Sequence, residues 1–315
     1  MMPFKMIRKT ILITGGSGFI GSSLVRKLAC KDNYNIRILD LHSMKNAPSG
    51  VEFIQGSFED PLCMSGALKG CDIIYHLAST VLPSSSNEDM IYDVSSNLVG
   101  TIKLLDLAVK HKVQKIIFAS SGGTVYGVTG KFPISENHPT NPICSYGITK
   151  LAIEKYMTLY SRLYSIQICI LRIANPYGES QNINSGVGVI AKFCHQAVND
   201  KAINVYGDGN VARDFIYIND LINVMINVLS IKETSLVLNV GSGKATSLND
   251  LIALIKTNGI QLEVSYLKSR SFDVDSVCLN INRINCLLGT DDSNKTSLSQ
   301  GVERMINYYM DKYKK

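Results

Sequence analysis

Residues 11–21 read Ile-Leu-Ile-Thr-Gly-Gly-Ser-Gly-Phe-Ile-Gly, an apolar run that breaks into closely spaced glycines. A helix-like stretch follows over 22–29. An apolar strand entering a glycine turn that opens a helix commits the start of the chain to a βα unit. Gly15, Gly18 and Gly21 satisfy Gly-x-x-Gly-x-x-Gly, and Gly16, Gly18 and Gly21 satisfy Gly-x-Gly-x-x-Gly. At this spacing one glycine turns the chain tightly, one lets backbone amides approach phosphate oxygens, and one lets the helix sit close on the strand. The helix then aims its positive end at an anion. The pattern predicts a dinucleotide pyrophosphate site.

The next apolar run, Ile36-Arg37-Ile38-Leu39, ends in Asp40. An acidic residue about 20 residues past the glycines accepts hydrogen bonds from an adenosine ribose. The same carboxylate repels a 2′-phosphate, so the expected cofactor is NAD rather than NADP.

Short, continuously apolar segments at 10–14, 36–40, 51–55, 73–77, 115–120 and 167–173 read as strands buried on both faces. Helix-like runs at 22–29, 61–68, 94–110 and 145–164 lie between them. The alternation predicts an α/β fold, a doubly wound parallel Rossmann sheet with ligands at the carboxyl ends of its strands. After Arg172 the texture changes. A loop rich in Asn, Gly and Ser covers 174–188, and further helices are expected at 189–199, 220–229, 248–256 and 298–309, with strands at 215–218 and 236–240. This part is expected to form a smaller C-terminal α/β substrate domain. The expected division is 1–175 and 176–315, with elements around 213–240 returning to the first domain.

Composition excludes several other classes. The 315 residues carry a mild net charge of +6, with 45% hydrophobic and 18% charged residues. Lys and Arg are scattered, with no basic stripe interleaved with aromatics, so no nucleic-acid partner is expected. No stretch approaches the ~20 apolar residues of a membrane span. The first strand feeds the glycine loop and cannot be spared as a signal peptide. The eight cysteines form neither Cys-x-x-Cys nor a Cys/His cluster, so no metal is expected. Buried thiols suit a reducing, cytoplasmic setting.

The remaining chemistry gathers at strand ends. His76-Leu77-Ala78-Ser79 follows one strand, Asn97 lies near the start of a helix, and Ser120-Ser121-Gly122-Gly123-Thr124-Val125-Tyr126-Gly127 follows another. Ser145-Tyr146-Gly147-Ile148-Thr149-Lys150 opens a long helix, with Tyr146 and Lys150 on one face. A tyrosine is a poor base at its ordinary pKa of about 10. A neighbouring ammonium stabilises its phenolate and lowers that pKa. Tyr146 would then take a proton from a sugar hydroxyl while a hydride leaves the same carbon, and Lys150 would also hold a ribose hydroxyl.

Together these residues resemble the extended short-chain dehydrogenase/reductase family, in particular NAD-dependent nucleotide-sugar epimerases of the UDP-glucose 4-epimerase type. The matching segments are Thr14-Gly-Gly-Ser-Gly-Phe-Ile-Gly21, His76-Leu-Ala-Ser79, Asn97-x-x-Gly-Thr101, Ser120-Ser121 through Tyr126-Gly127, Tyr146-x-x-x-Lys150 and Asn175-Pro-Tyr-Gly178. Tyr206-Gly-Asp-Gly-x-x-x-Arg-Asp-Phe-Ile-Tyr217 and Asn239-Val-Gly-Ser-Gly243 extend the match over nearly the whole chain. The resemblance implies that Phe19 and Ile20 lie along the pyrophosphate and Asp40 holds the ribose. Ser57 and Phe58 would flank the adenine, although the family usually has Asp at the first of these positions. Leu77, Ala78 and Asn97 would line the nicotinamide half. Asn175, the backbone near Val189, Tyr206, Arg213 and Arg270 would hold a nucleoside diphosphate sugar. A homodimer through the helices at 94–110 and 145–164 is also implied.

The family's catalytic Ser or Thr usually stands four residues before the tyrosine of Tyr126-Gly127, where this chain has Gly122. Ser121 and Thr124 are the nearby hydroxyls, and Thr124 is the preferred replacement. Related 4,6-dehydratases carry an Asp-Glu pair where this chain has Gly123-Thr124, and related decarboxylases tend to place Glu there. The resemblance therefore implies 4-epimerisation of UDP-Glc/UDP-Gal or UDP-GlcNAc/UDP-GalNAc through a 4-keto intermediate. Arg270-Ser-Phe-Asp273 aligns with the family's Arg-x-x-Asp segment and puts Val277 near the sugar gate, where a valine leaves more room than the tyrosine of stricter relatives. Two other readings stand beside this one: a nucleotide-sugar reductase or dehydrogenase with net redox turnover, and a catalytically inactive NAD-binding protein.

Overall fold

The computed structural model describes residues 8–185, 187–268, 276–290 and 295–313. The first six strands are β1 (Lys9–Thr14), β2 (Tyr34–Asp40), β3 (Glu52–Gln55), β4 (Ile73–His76), β5 (Lys115–Ser121) and β6 (Gln167–Ile173). With the strand Ser235–Val240 they form one seven-stranded sheet, in the order β3-β2-β1-β4-β5-β6 and then 235–240. β1 pairs parallel with β2 and β4, β2 with β3, and β4 with β5. Bonds Gln167 N–H to Gln114 O and Gly122 N–H to Ile173 O run β5 and β6 in the same direction, and Ile168 to Thr234 and Ala174 to Val240 do the same for the last strand. The strand order reverses at β1, between β2 and β4. Doubly wound sheets bind ligands at this switch point, outside the carboxyl ends of the strands.

The helices of this part are α1 (Phe19–Ala29), α2 (Pro61–Ala67), α3 (Met90–Asp93), α4 (Gly100–Lys110) and α5 (Ser145–Tyr164). Ile11, Leu12 and Ile13 are fully buried, as strands covered on both faces must be. On α5, Ile153, Met157 and Tyr160 recur at helical spacing and pack with Leu104, Leu105 and Ala108 of α4 over Leu12, Ile74, Ile116 and Ile168. The expected helix over 94–110 is interrupted. Val94–Val99 forms a wider, π-helical turn between α3 and α4, and Asn97 lies within it. Such turns insert an extra residue per turn and often mark functional sites. Among the described residues, no helix is long and apolar enough to cross a membrane.

The chain divides into two compact units, one of residues 1–120, 145–171 and 225–237, the other of 121–144, 172–224 and 238–315. The second unit contains a three-stranded sheet of Asn175–Tyr177, Ala212–Tyr217 and Ala245–Ser247. A two-stranded parallel ladder joins Ile203–Tyr206 to Val264–Leu267. Asp214 organises this unit. It is 1% exposed and accepts from Ser242 N (2.7 Å), Ser242 Oγ (2.7 Å), Gly243 N (3.1 Å) and Leu279 N (3.1 Å). A buried carboxylate is tolerable only when its lone pairs are satisfied in this way.

Candidate active site

The glycine turn after β1 is built as a cradle. Gly15 has φ +72°, and a Cβ there would stand 2.8 Å from Ala78 N and 2.9 Å from Ala78 Cα. A Cβ on Gly21 would collide with Gly15 O. The first turn of α1 starts at Phe19, earlier than the sequence suggests, because Gly18 serves as its N-cap. No side chain caps that end, so its first N–H groups stay available to an anion. Ser17 Oγ is buried with no hydrogen-bond partner among the described residues. A side-chain-free cradle, an uncapped helix end and an unpartnered hydroxyl fit the pyrophosphate of a dinucleotide. Phe19 and Ile20 lie half-buried in the first helical turn. Asp40 is held by Ser17 N–H on one oxygen (3.0 Å) and His42 N–H on the other (3.1 Å). Each oxygen retains acceptor capacity for a ribose hydroxyl.

Ser57 is half-buried and exchanges hydrogen bonds with Glu59. The Phe58 ring is 5% exposed and meets the His76 ring edge-on, with centroids 5.1 Å apart. That ring belongs to the core, so what Phe58 offers an adenine is its backbone. Leu77 and Ala78 lie at the carboxyl end of β4, with Ala78 half-buried. His76 is buried between Phe58 and Phe118, and burial first, then the Lys150 ammonium, pushes its pKa down to about 3. It contacts Thr14 Oγ1 through Nδ1 (2.8 Å) and Thr101 Oγ1 through Nε2 (3.0 Å). Thr101 donates its own proton to Asn97 O at 2.6 Å. Nε2 must therefore be the protonated nitrogen, and Nδ1 accepts from Thr14. His76 is a neutral strut between β1 and α4.

Asn97 is 5% exposed. Its Oδ1 accepts from Thr80 N (3.0 Å), and its Nδ2 donates to Thr80 Oγ1 (2.7 Å) and Asp93 Oδ1 (3.0 Å). Its amide thereby fastens the loop after β4 to the π-helical turn. Asp93, fully buried, also accepts from Ser145 Oγ (2.6 Å) and Thr149 Oγ1 (3.1 Å). Those two residues bracket Tyr146 on the first turn of α5.

Lys150 is 4% exposed and donates to Ala119 O at 2.9 Å. Its Nζ lies 4.6 Å from the Phe118 ring centroid and 5.5 Å from that of Tyr146. Burial lowers its pKa to about 8 against the opposing pull of Asp93 and Glu154. The pair expected from the sequence is therefore assembled, with an ammonium beside a half-buried tyrosine ring. Asp93 and Glu154 are the carboxylates acting on Lys150 that sequence reasoning misses. Glu154 carries a signal, since it follows Lys150 by one helical turn. Asp93 carries none, because Ser145 and Thr149, which tie it to α5, come from a distant segment.

In the second unit, Gly123 sits beside Asn175: a Cβ there would be 3.6 Å from Asn175 Oδ1 and 4.0 Å from Ser121 Oγ. Ser121, Thr124 and Asn175 are thus gathered at one loop. Thr124 Oγ1 is buried with no hydrogen-bond partner among the described residues. Gly122 has a structural reason. A side chain there would meet the fully buried Leu279 at 2.5 Å and Arg172 O at 3.1 Å. Leu279 fills the volume that a residue-122 side chain takes up. Gly122→Ser is accordingly expected to destabilise the fold by about 1–3 kcal/mol, the usual range for overpacking, without raising turnover. Adding Leu279→Ala should restore room at residue 122, at a cavity cost of its own. Thermal melts and turnover of both variants test this; a more active Gly122→Ser would reverse it.

Val189 opens the helix Val189–Val198 after Gly188, whose φ is +91°, and no side chain caps that end. Tyr206 ends its strand 37% exposed, opposite Leu267. Arg213 is half-buried in the strand Ala212–Tyr217, pairing with Thr246. Arg270 lies outside the described residues. Among the described residues, no cluster of three or more His, Cys, Asp or Glu side chains forms a metal site.

Comparison with known proteins identifies the family. A model of the NAD dependent epimerase/dehydratase family matches residues 11–241. A UDP-glucose 4-epimerase of Mycolicibacterium smegmatis is 30% identical, over 96% of this chain and 98% of its own. The crystal structure of a Thermotoga maritima UDP-glucose 4-epimerase with UDP-glucose is 32% identical, with a TM-score of 0.90 over 96% of this chain and 99% of that one. A UDP-N-acetylglucosamine 4-epimerase from Methanobrevibacter ruminantium, in complex with UDP-N-acetylmuramic acid, is 27% identical, with a TM-score of 0.88 over 98% of this chain and 100% of that one. The chain belongs to the NAD dependent epimerase/dehydratase family, and its cofactor is NAD.

Proposed function

We propose that this member of the NAD dependent epimerase/dehydratase family inverts the 4-hydroxyl of a UDP-hexose. The observation that carries the reading is the Lys150 ammonium, buried beside the Tyr146 ring and bonded to the Ala119 carbonyl. A cation in that place favours the phenolate and makes Tyr146 a base for a sugar hydroxyl. NAD, when bound, would supply the hydride acceptor and donor for the sugar carbon. Gly15, Gly18 and Gly21, with the α1 N-terminus, would receive its pyrophosphate, and Asp40 its adenosine ribose. Lys150 has two further N–H donors besides the one on Ala119, suited to the nicotinamide ribose. Tyr146 takes the 4-hydroxyl proton as a 4-keto sugar forms and returns it after the sugar has turned. Thr124 Oγ1, buried and unpartnered among the described residues, supplies a hydrogen bond to the reacting oxygen. The dehydratase positions hold Gly123 and Thr124, so the acid/base pair that removing water requires is missing there.

Asn175, the Val189 backbone, Tyr206, Arg213 and Arg270 are proposed to hold the nucleoside diphosphate; an arginine fork suits diphosphate oxygens and a tyrosine ring suits a base. Val277, 4% exposed and bonded to Ala212 O through its N–H (3.1 Å), is proposed to leave room for an N-acetyl group beside UDP-Glc and UDP-Gal. Proton NMR of the protein with UDP-GlcNAc, and separately UDP-Glc, without added reductant tests the reading. The galacto isomer is expected in at least one mixture. Silence in both would refute 4-epimerisation of these sugars.

A second copy of the chain is the proposed partner. On α3, Ile91 is 82% exposed, and on α5 Ile148, Leu159 and Leu163 are 55%, 45% and 61% exposed. Apolar side chains grouped at helical spacing mark an association face. Ile91→Asp with Leu163→Asp should halve the mass seen in sedimentation equilibrium. A wild-type protein already monomeric at micromolar concentration would overturn the dimer.

A further inference from the structure

Lys150 is not the only buried charge on its helix face. Glu154, one turn further along α5, is 2% exposed. Ser120 Oγ donates to Glu154 Oε1 at 2.5 Å. Ser120 directly follows Ala119, the residue whose carbonyl receives the Lys150 ammonium. Two consecutive residues at the end of β5 are therefore fastened to two consecutive turns of α5, one through a cation and one through an anion. Burying a carboxylate is costly unless it is bonded and faces a positive charge. A hydroxyl alone would hold Ser120 as well if its partner were a neutral amide, so a carboxylate there needs a further reason. The Lys150 charge supplies one.

We propose that Glu154 is a positioning residue for the Tyr146/Lys150 pair: through Ser120 it fixes the end of β5 against α5, and its charge keeps Lys150 an ammonium bound to Ala119. Burial alone drives a lysine toward its neutral form, in which it no longer stabilises a phenolate. Asp93 and Glu154 both oppose that drift, while neutral His76 adds no charge of its own. Asp93 is committed to Ser145, Thr149 and Asn97, so Glu154 is the carboxylate tied to the strand that carries the Lys150 acceptor. The inference deepens the proposed role of Tyr146 and Lys150 but concerns a proton on Lys150, which is measurable whatever the substrate is.

The test is titration of the Lys150 Nζ resonance in ¹⁵N-lysine-labelled protein, assigned by its loss in Lys150→Met. Wild type should show a midpoint near 8. Glu154→Gln, which keeps the acceptor for Ser120 but drops the charge, should move that midpoint at least tenfold in proton concentration toward acid. The alkaline limb of the kcat profile should move with it. Glu154→Asp should return the midpoint toward wild type. An unshifted midpoint in a folded Glu154→Gln would overturn the electrostatic part. Ser120→Ala keeps the charge and removes the tether, and remains informative if Glu154→Gln fails to fold. It should leave the midpoint in place and lower kcat about tenfold; a wild-type kcat would overturn the tether. If the protein proves not to be an epimerase, the midpoints still decide the inference.

Discussion

Tyr146→Phe is expected to reduce turnover by about 10²–10⁴-fold, the range that a positioned proton-transfer group contributes. The substitution removes one oxygen from a half-buried ring and leaves Lys150, Ala119 and the Asp93 cluster in place. Melting temperature should shift by only a few degrees, and NAD should still bind in calorimetry. The loss should fall on kcat rather than KM, since the proton moves only as the reaction proceeds. Activity within tenfold of wild type would remove Tyr146 as the base and redirect attention to the hydroxyls of Ser121 and Thr124.

Gly15→Ala should be strongly damaging. At φ +72° an alanine pays the left-handed penalty, about 1–2 kcal/mol. Its Cβ would also stand 2.8 Å and 2.9 Å from backbone atoms of Ala78, which no side-chain rotation can relieve. Leu77 N–H is bonded to Thr14 O at 3.2 Å, so the Ala78 segment cannot retreat without opening the β1–β4 ladder. With overpacking of about 1–3 kcal/mol, the total should reach about 2–5 kcal/mol. NAD affinity should fall at least tenfold. Gly66→Ala is the control. Gly66 lies in α2 with nothing within 4 Å of a Cβ, so alanine there should be neutral or stabilising by up to about 1 kcal/mol. Equal damage at both positions would show that the Gly15 contact does not matter.

The nucleotide half is legible in the sequence because its signals are local. Each long strand carries a mostly apolar run, and Gly15, Gly18, Gly21 and Asp40 follow one another at spacings set by a single βαβ unit. Tyr146 and Lys150 share a helix, so their meeting is readable from the interval alone. Short elements are not. The strands Ile203–Tyr206, Ala245–Ser247 and Val264–Leu267 are held by neighbours distant in sequence rather than by periodicity of their own. The strand at Asn175–Tyr177 hides inside what reads as a polar loop. Gly122 reads as a missing hydroxyl, whereas the structure shows a leucine from residue 279 in the adjoining volume. No pattern within 120–127 announces that. The π-helical turn at Val94–Val99 is similarly invisible, because its apolar spacing still passes for an α-helix.

The path of the chain has a bearing on how such a protein can diversify. Residues of one unit give way to the other at 120/121, 144/145, 171/172, 224/225 and 237/238. Three of these junctions fall inside strands of the large sheet. A single recombination crossover therefore cannot exchange one unit whole and keep the other intact, because every single cut leaves at least one of the two units hybrid. A change confined to one unit has to arrive by point substitution, loop-length variation or several crossovers. Laboratory chimaeras of this chain should be assembled as interleaved blocks rather than as fused halves.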